Sequence, residues 1–386
     1  MSQGLVHPME RRRAIGKIMG LDYALLLLIS LVATAGVAIL YSVAETGTGF
    51  GSWHPWALKH LVRFLICLVL CMGMAMVNLR VWLSVAYPLY GVVLVLLVLV
   101  ELVGKTAMGA QRWLDIGPVQ IQPSEFMKIA LLLALARYYH ALRDEDSRRL
   151  LAHVPPILMT LVPAALVAHQ PDLGTAVLLS LTGGIIVFLA GINWRVVVGA
   201  IVLFAASVPI AFHFVLHDYQ KGRILTFLDP SRDPMGAGYH IMQSKIAMGS
   251  GGVFGKGFMQ GTQSQLNFLP EKHTDFIFPA FAEEFGLVGG LGLLCLYVVI
   301  LARCLGISAN ARSHFGRLMV AGLTGMIALY ILINAAMVMG LAPVVGVPMP
   351  LLSYGGTSMI SIMISFGLIL STHIHRHAEL PRMGHG

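Results

Sequence analysis

The stretch from His240 to Gly290 reads HIMQSKIAMGSGGVFGKGFMQGTQSQLNFLPEKHTDFIFPAFAEEFGLVGG. The sequence around it is apolar enough to sit in lipid. This stretch instead collects Lys245, Lys256, Glu271, Lys272, His273, Asp275, Glu283 and Glu284 beside a run of glycines, then enters another apolar segment. A polar, glycine-rich loop held by membrane helices is where chemistry is expected.

The whole chain has 386 residues, 57% hydrophobic and 11% charged, with a mean hydropathy of +0.79. Soluble domains carry about 25% charged residues, so this is an all-α polytopic membrane protein. Cys67, Cys71, Cys295 and Cys304 fall in or beside apolar segments without metal-ligand spacing, and read as small core residues. The pI of about 9.4 does not point to nucleic acid, because the basic residues are distributed as a membrane orientation signal. The first apolar run follows ERRRAIGK, is longer than a signal-peptide core and has no clear cleavage site.

Ten runs approach the roughly 20 residues a crossing helix needs. They lie at about 21–43, 61–79, 82–104, 122–140, 154–169, 173–192, 196–216, 278–303, 317–341 and 356–375. With the N-terminus in the cytoplasm, the inside receives Arg11, Arg12, Arg13, Lys17, Arg80, Arg137, Arg143, Arg148, Arg149, Arg195, Arg303, Arg312, Arg317, Arg376 and Arg382. The short outer loops hold little more than Lys59, Lys105 and Arg112. That bias predicts both termini inside and one large extracytoplasmic loop, 217–277, within a single membrane domain, 1–386. Apolar residues mixed through the loop predict that it is packed.

The fourth run opens QRWLDIGPVQIQPSEFMK. Pro123 suits a helix start, and Glu125 and Lys128 are three apart on one face. A charge at membrane depth costs about 2.5–3.5 kcal/mol on insertion scales. The two side chains therefore form either a structural ion pair or a cavity wall that also meets phosphate. Arg112 and Trp113 precede them just outside the membrane, Trp113 as an interfacial anchor or a sugar platform. In AHQPDLGTA, Asp172 either caps the sixth helix or lines an outward cavity.

The run GSGGVFGKG, 249–257, is not a Walker A loop: Ser250 and Gly257 stand where that motif needs Gly and Ser or Thr. Tight turns, or an anion cradle of backbone N–H groups, remain. In LPEKHTDFIF, Asp275 sits where the loop re-enters the membrane, with Thr274 the expected helix cap. Desolvation would raise its pKa, while Lys272, His273 and the helix N-terminus would lower it. It is either an N-terminal helix carboxylate or a tuned general base. APVVGVPMPLLSYGGTS predicts a rigid re-entrant loop lining a cavity. His373, His375 and His377 have partial metal spacing at a helix end, where the dipole also favours them.

Through QRWLDIGPVQIQPSEFMK, HQPDLGTA, GAGYHIMQSKIAMGSGG, FLPEKHTDFIF and VPMPLLSYGG, in that order, essentially the whole chain resembles the SEDS family of shape, elongation, division and sporulation proteins. It is closest to the elongation branch, RodA, rather than the division branch, FtsW. The resemblance implies a ten-span inner-membrane peptidoglycan glycosyltransferase that polymerises lipid II on the outer face. It also implies a class B partner, penicillin-binding protein 2, among other elongation-complex proteins and membrane lipids. The family's essential loop aspartate falls on Asp275, its ion pair on Glu125 and Lys128, its Trp on Trp113 and the PDLG aspartate on Asp172.

Such a reaction needs one base for the acceptor hydroxyl and cations for the departing pyrophosphate, not the paired carboxylates of glycosidases. Arg223, Lys245, Lys256 or Lys128 would hold the pyrophosphate, with His273 and Glu283 also among the cavity residues. The family allows a divalent cation, Mg or Mn, although no ligand spacing marks one. Two rival expectations are a lipid-precursor flippase and a non-catalytic cell-wall scaffold.

Overall fold

The computed structural model describes residues 16–43, 55–107, 110–116, 119–143, 149–214, 218–233, 236–269 and 271–381. Arg11, Arg12, Arg13, Arg148 and Arg382 lie outside them. Helix α1 (Tyr23–Ser42) starts at Asp22, whose carboxylate accepts from the Leu25 amide at 3.1 Å. That satisfies one of the donors a helix start leaves open. α2 (Pro55–Met76) and α3 (Leu79–Val103) follow, the latter capped by Asn78. Strands β1 (Lys105–Ala107), β2 (Ala110–Ile116) and β3 (Val119–Ile121) then form a small antiparallel sheet in the order β1-β2-β3. This adds a small sheet, which the sequence did not announce, to an otherwise helical chain. The segment is too polar to cross and too short to bury a helix face, so its backbone pairs with itself.

Next come α4 (Pro123–Ala141), α5 (Val154–His169), α6 (Leu173–Leu189) and α7 (Trp194–Phe214). The large loop is packed, as its composition predicts. It contains α8 (Asp218–Leu228), α9 (Ala237–Ser250) and the single turn α10 (Thr262–Gln265). Ser244 on α9 donates to the Val338 carbonyl at 2.6 Å. The chain ends with α11 (Ile277–Asn310), α12 (His314–Val338) and α13 (Gly356–Ile374).

Helices α1–α7 and α11–α13 overlap the ten apolar runs, with ends that differ by several residues at Pro55 and Asn310. Among the described residues, seven helices are long and apolar enough to cross a membrane by length and composition. α4 is not one of these, since it carries Glu125, Lys128 and Arg137. It is instead the buried centre of the bundle, with 15 of its 19 residues enclosed. A helix surrounded by other helices can hold charge where one facing lipid cannot.

α11 is broken at Gly286, whose φ of 68° and ψ of −168° are not helical. Above the break, Ile277 to Glu284 are all buried; below it, Leu287, Val288 and Leu291 are exposed. At 34 residues the helix is about 50 Å long, well beyond the roughly 30 Å hydrocarbon core. The exposed apolar strip of this helix starts at Leu287. Cys67, Cys71 and Cys304 are core residues as expected, but Cys295 is exposed on this strip.

Candidate functional site

The loop between α12 and α13 is the hub that joins the sequence motifs. It has no regular secondary structure from Pro343 to Met349. Two motifs and Arg223 reach it. Gly174, in the PDLG turn, packs so closely that a Cβ there would stand 2.7 Å from the Val345 carbonyl. Arg223 on α8 donates to the Val344 carbonyl at 3.3 Å. Asp275 approaches Gly346, where a Cβ would lie 3.5 Å from its Oδ2. Gly346 has φ +73°, which a side chain rarely tolerates.

Asn334, fully buried on α12, fixes this approach. Its Nδ2 donates to the Asp275 carbonyl at 2.9 Å and the Val347 carbonyl at 2.7 Å. The sequence reading missed it, although a lone amide in the apolar run LYILINAAMVMG is a legible signal. Asp275 is half-buried just before α11. Burial pushes its carboxyl up to about 6, the nearby Glu271 carboxylate adds to the rise, and Arg223 opposes it. The expected lowering by Lys272 is absent, because Lys272 turns away to the Ser264 carbonyl at 2.8 Å and Asn267 Oδ1. Thr274 is not the helix cap either. Phe276 occupies that position without a side-chain bond, and the Thr274 hydroxyl donates to Glu271.

His273 stacks on Trp56 of α2, centroids 5.3 Å apart and planes at 16°. Trp56 meets Tyr354 edge-on at 4.8 Å, and the Tyr354 amide donates to the His273 carbonyl at 2.8 Å. Neither aromatic was singled out from sequence, since each stands alone in its own segment.

A cavity of about 350 Å³ opens beside the hub. Leu173, Gly174, Val177 and Leu181 of α6 line it with Gln220, Arg223 and Ile224 of α8 and Ala342 to Val345 of the hub. Its walls are apolar except near Arg223 and Gln220. On the other side of the PDLG turn, Asp172 caps α6 through the Thr175 amide at 3.3 Å and accepts from Gln122 at 3.3 Å. Arg112 on β2 ties this turn down, donating to the Pro171 carbonyl at 2.5 Å with its Nε 3.6 Å from Asp172. Asp172 is thus a cap and part of an ion pair. Trp113 is half-buried in β2, opposite Lys105.

Glu125 and Lys128 pair at 2.7 Å in the bundle interior. Tyr330 of α12 and Ser361 of α13 complete the group: Tyr330 donates to Glu125 Oε2 at 2.6 Å, Ser361 does so at 3.0 Å, and Lys128 also reaches the Tyr330 hydroxyl. Three helices are held by one carboxylate. Its partners in α12 and α13 were invisible in sequence because Tyr and Ser are ordinary in such helices.

Lys256 and Glu283 belong elsewhere. Glu283 is fully buried in α11 and accepts from Lys256 at 2.7 Å, the Gln263 amide at 3.0 Å and the Thr262 hydroxyl at 3.2 Å. Together they anchor the loop from 256 to 264 and cap α10. The glycine run is a set of tight turns seated in the break of α11, and its Gly255, Lys256 and Gly257 amides are taken by the Gly251, Glu283 and Glu284 carbonyls at 2.8, 3.0 and 3.0 Å. Lys245 is exposed and lies over Gly340, at the carbonyl end of α12.

Among the described residues, no three His, Cys, Asp or Glu side chains gather as metal ligands. His375 Nδ1 meets the Ser371 carbonyl at 2.9 Å and His377 accepts from Arg376 at 3.2 Å, so these histidines finish α13.

The family model of FtsW, RodA and SpoVE, described as a cell cycle protein, matches residues 22–378. A curated relative, the peptidoglycan glycosyltransferase MrdB of Escherichia coli strain K12, is 45% identical over 356 residues, 92% of this chain and 94% of its own. Among solved structures, a peptidoglycan synthase complex that coordinates polymerization and crosslinking contains a chain with TM-score 0.79 and 32% identity, covering 93% of this chain and 99% of that one. The crystal structure of the rod shape determining protein RodA of Thermus thermophilus matches with TM-score 0.69 and 30% identity over 93% and 98% of the two chains. The order of motifs, the hub they share and these matches together mean that the chain belongs to the FtsW/RodA/SpoVE family, the SEDS proteins, on its RodA side.

Proposed function

We propose that this chain is the peptidoglycan glycosyltransferase of cell elongation, polymerising lipid II into glycan strands at the outer face of the cytoplasmic membrane with Asp275 as general base. The observation that carries the catalytic part is the setting of Asp275. Its carboxylate faces the hub glycine, its pKa is about 6, and Arg223 and an apolar cavity stand beside it. A base near neutrality is mostly ionised at pH 7 yet basic enough to take a proton.

In this reading the cavity receives the first isoprene units of the donor, and Arg223 at its polar end neutralises the pyrophosphate. The acceptor hydroxyl attacks the anomeric carbon of the donor. Its proton passes to Asp275, a C–O bond forms, and the bond from carbon to pyrophosphate breaks. One displacement inverts that carbon and releases the lipid pyrophosphate. Asp275 then returns its proton to water. The quartet around Glu125 supports this chemistry by holding α4, α12 and α13 together beneath the hub.

The architecture is ten spans with both termini cytoplasmic and the 217–277 loop outside. A cysteine at Gly236 is then labelled by an impermeant reagent in intact cells. The partner is a class B penicillin-binding protein, penicillin-binding protein 2, in keeping with the related synthase complex that couples polymerization to crosslinking.

The test is glycan synthesis from lipid II by purified protein. Wild type makes polymer, and Asp275→Asn loses about 10²–10⁴-fold while still folding and co-purifying with its partner. Glu271→Gln keeps most activity. Near-wild-type polymerisation by Asp275→Asn removes Asp275 as the base. Translocation of lipid II without polymer by the wild type turns the reading into that of a flippase, and a fully functional Asp275→Asn in growing cells into that of a scaffold.

A further inference from the structure

The turn from Gly251 to Phe258 has its polarity reversed. Its charged residue, Lys256, points inward to Glu283. Its crest is Val253 and Phe254, which are 54% and 82% exposed. Phe258 is also exposed. A turn bathed in water is expected to show the opposite arrangement.

This crest is rigidly held. The Gly255 amide donates to the Gly251 carbonyl at 2.8 Å, the Lys256 amide to the Glu283 carbonyl at 3.0 Å, and the Leu287 and Val288 amides to the carbonyls of Gly252 and Val253. The display of the two apolar side chains is therefore built into the fold.

Its neighbours identify the medium it meets. Val253 is bonded to Val288, and Leu287, Val288 and Leu291 are the first exposed apolar residues below the break in α11. Val298 and Val299 continue the exposed strip further down. On a helix long and apolar enough to cross, that strip faces acyl chains. Val253 and Phe254 extend it sideways at its upper end.

We infer that the Val253–Phe254 crest is inserted among the acyl chains of the bilayer and anchors the 251–265 segment to the membrane. The occupant is lipid, because the crest is continuous with a lipid-facing strip and its side chains are purely apolar. Insertion rests on α11 crossing the membrane; only the choice of the outer leaflet rests on the orientation proposed above. An inserted aromatic at the edge of the hydrocarbon fixes the depth of a loop. The anchored segment in turn holds Glu283 and, through α11, the residues that follow Asp275.

The experiment uses the full chain in phospholipid nanodiscs, with Cys67, Cys71, Cys295 and Cys304 replaced and a nitroxide attached at Phe254→Cys. Leu291→Cys is the lipid reference and Gln260→Cys the aqueous one. The expected result is collision with oxygen several-fold above collision with a water-soluble nickel chelate, as at Leu291 and opposite to Gln260. Nickel accessibility equal to that at Gln260 overturns the inference. Exclusion of both probes also overturns it, in favour of protein cover. If Phe254→Cys fails to fold, Val253→Cys carries the same measurement. None of these outcomes depends on glycan synthesis, so the inference and the enzymatic reading fail separately.

Discussion

Gly255 and Gly286 interlock: a Cβ on Gly255 would stand 2.6 Å from the Gly286 amide nitrogen, and a Cβ on Gly286 would overlap the Gly255 nitrogen in return. Both have positive φ, +83° and +68°. The break in α11 and the turn of the glycine run are one structure, each occupying the space the other leaves. Gly286→Ala is therefore expected to be strongly destabilising. A non-glycine residue in this conformation costs about 1–3 kcal/mol, and overpacking costs about 1–3 kcal/mol more. Gly249→Ala, with nothing within 4 Å of its added Cβ, is expected to be neutral. Thermal unfolding in detergent compares them, and equal melting of the two variants would refute the interlock.

The long helices were legible because apolar runs of that length have few alternatives in lipid. The internal helices of the loop were not, since α8 and α9 are short and mix polar with apolar residues. Each site motif could be read alone, Asp275, Asp172 and Glu125 with Lys128 among them. The meeting of Asp275, Arg223 and the PDLG turn at Val344, Val345 and Gly346 could not, because those three hub residues carry no chemistry of their own. Lys256 shows the converse. Beside glycines it looked like an anion ligand, yet its partner is Glu283, 27 positions on. A pair that distant in sequence has no local signature.

The buried quartet invites a double-mutant cycle. Lys128 is 1% exposed, and its removal strands the Glu125 carboxylate. Lys128→Ala is expected to cost about 3–5 kcal/mol. Tyr330→Phe, which removes one charged hydrogen bond, should cost about 1–3 kcal/mol. Glu125→Leu with Lys128→Met should cost less than the sum of its single changes, because no charge is left unpaired. Strict additivity would mean that the two side chains do not interact.

Trp56 is expected to act through His273 rather than on substrate. The stack with His273 and the edge contact with Tyr354 set the turn two residues before Asp275. Aromatic pairs are worth about 0.5–1.5 kcal/mol each beyond their area, which converts to roughly a tenfold effect. Trp56→Ala should lower kcat about tenfold with KM for lipid II little changed, and Trp56→Phe should restore most of it. A rise in KM at constant kcat would instead put Trp56 in contact with substrate.

The acidic limb of activity should report Asp275. In the proposed role Asp275 works only when ionised, so polymerisation is expected to fall as pH drops through about 6 and to level off above it. Glu271 raises this pKa by repulsion, so Glu271→Gln should move the limb to lower pH. Arg223 lowers it by attraction, so Arg223→Gln should move the limb to higher pH, with a further loss of rate if it also holds pyrophosphate. Stability should run the opposite way. The folded value of about 6 lies above the ordinary 3.8, so keeping Asp275 ionised costs stability as pH rises between those values. Asp275→Asn is thus expected to melt above wild type at pH 8, with the gap closing below about pH 4. Limbs that stay fixed in both charge variants, together with an Asp275→Asn that melts no higher than wild type, would mean that some other group sets the pH dependence.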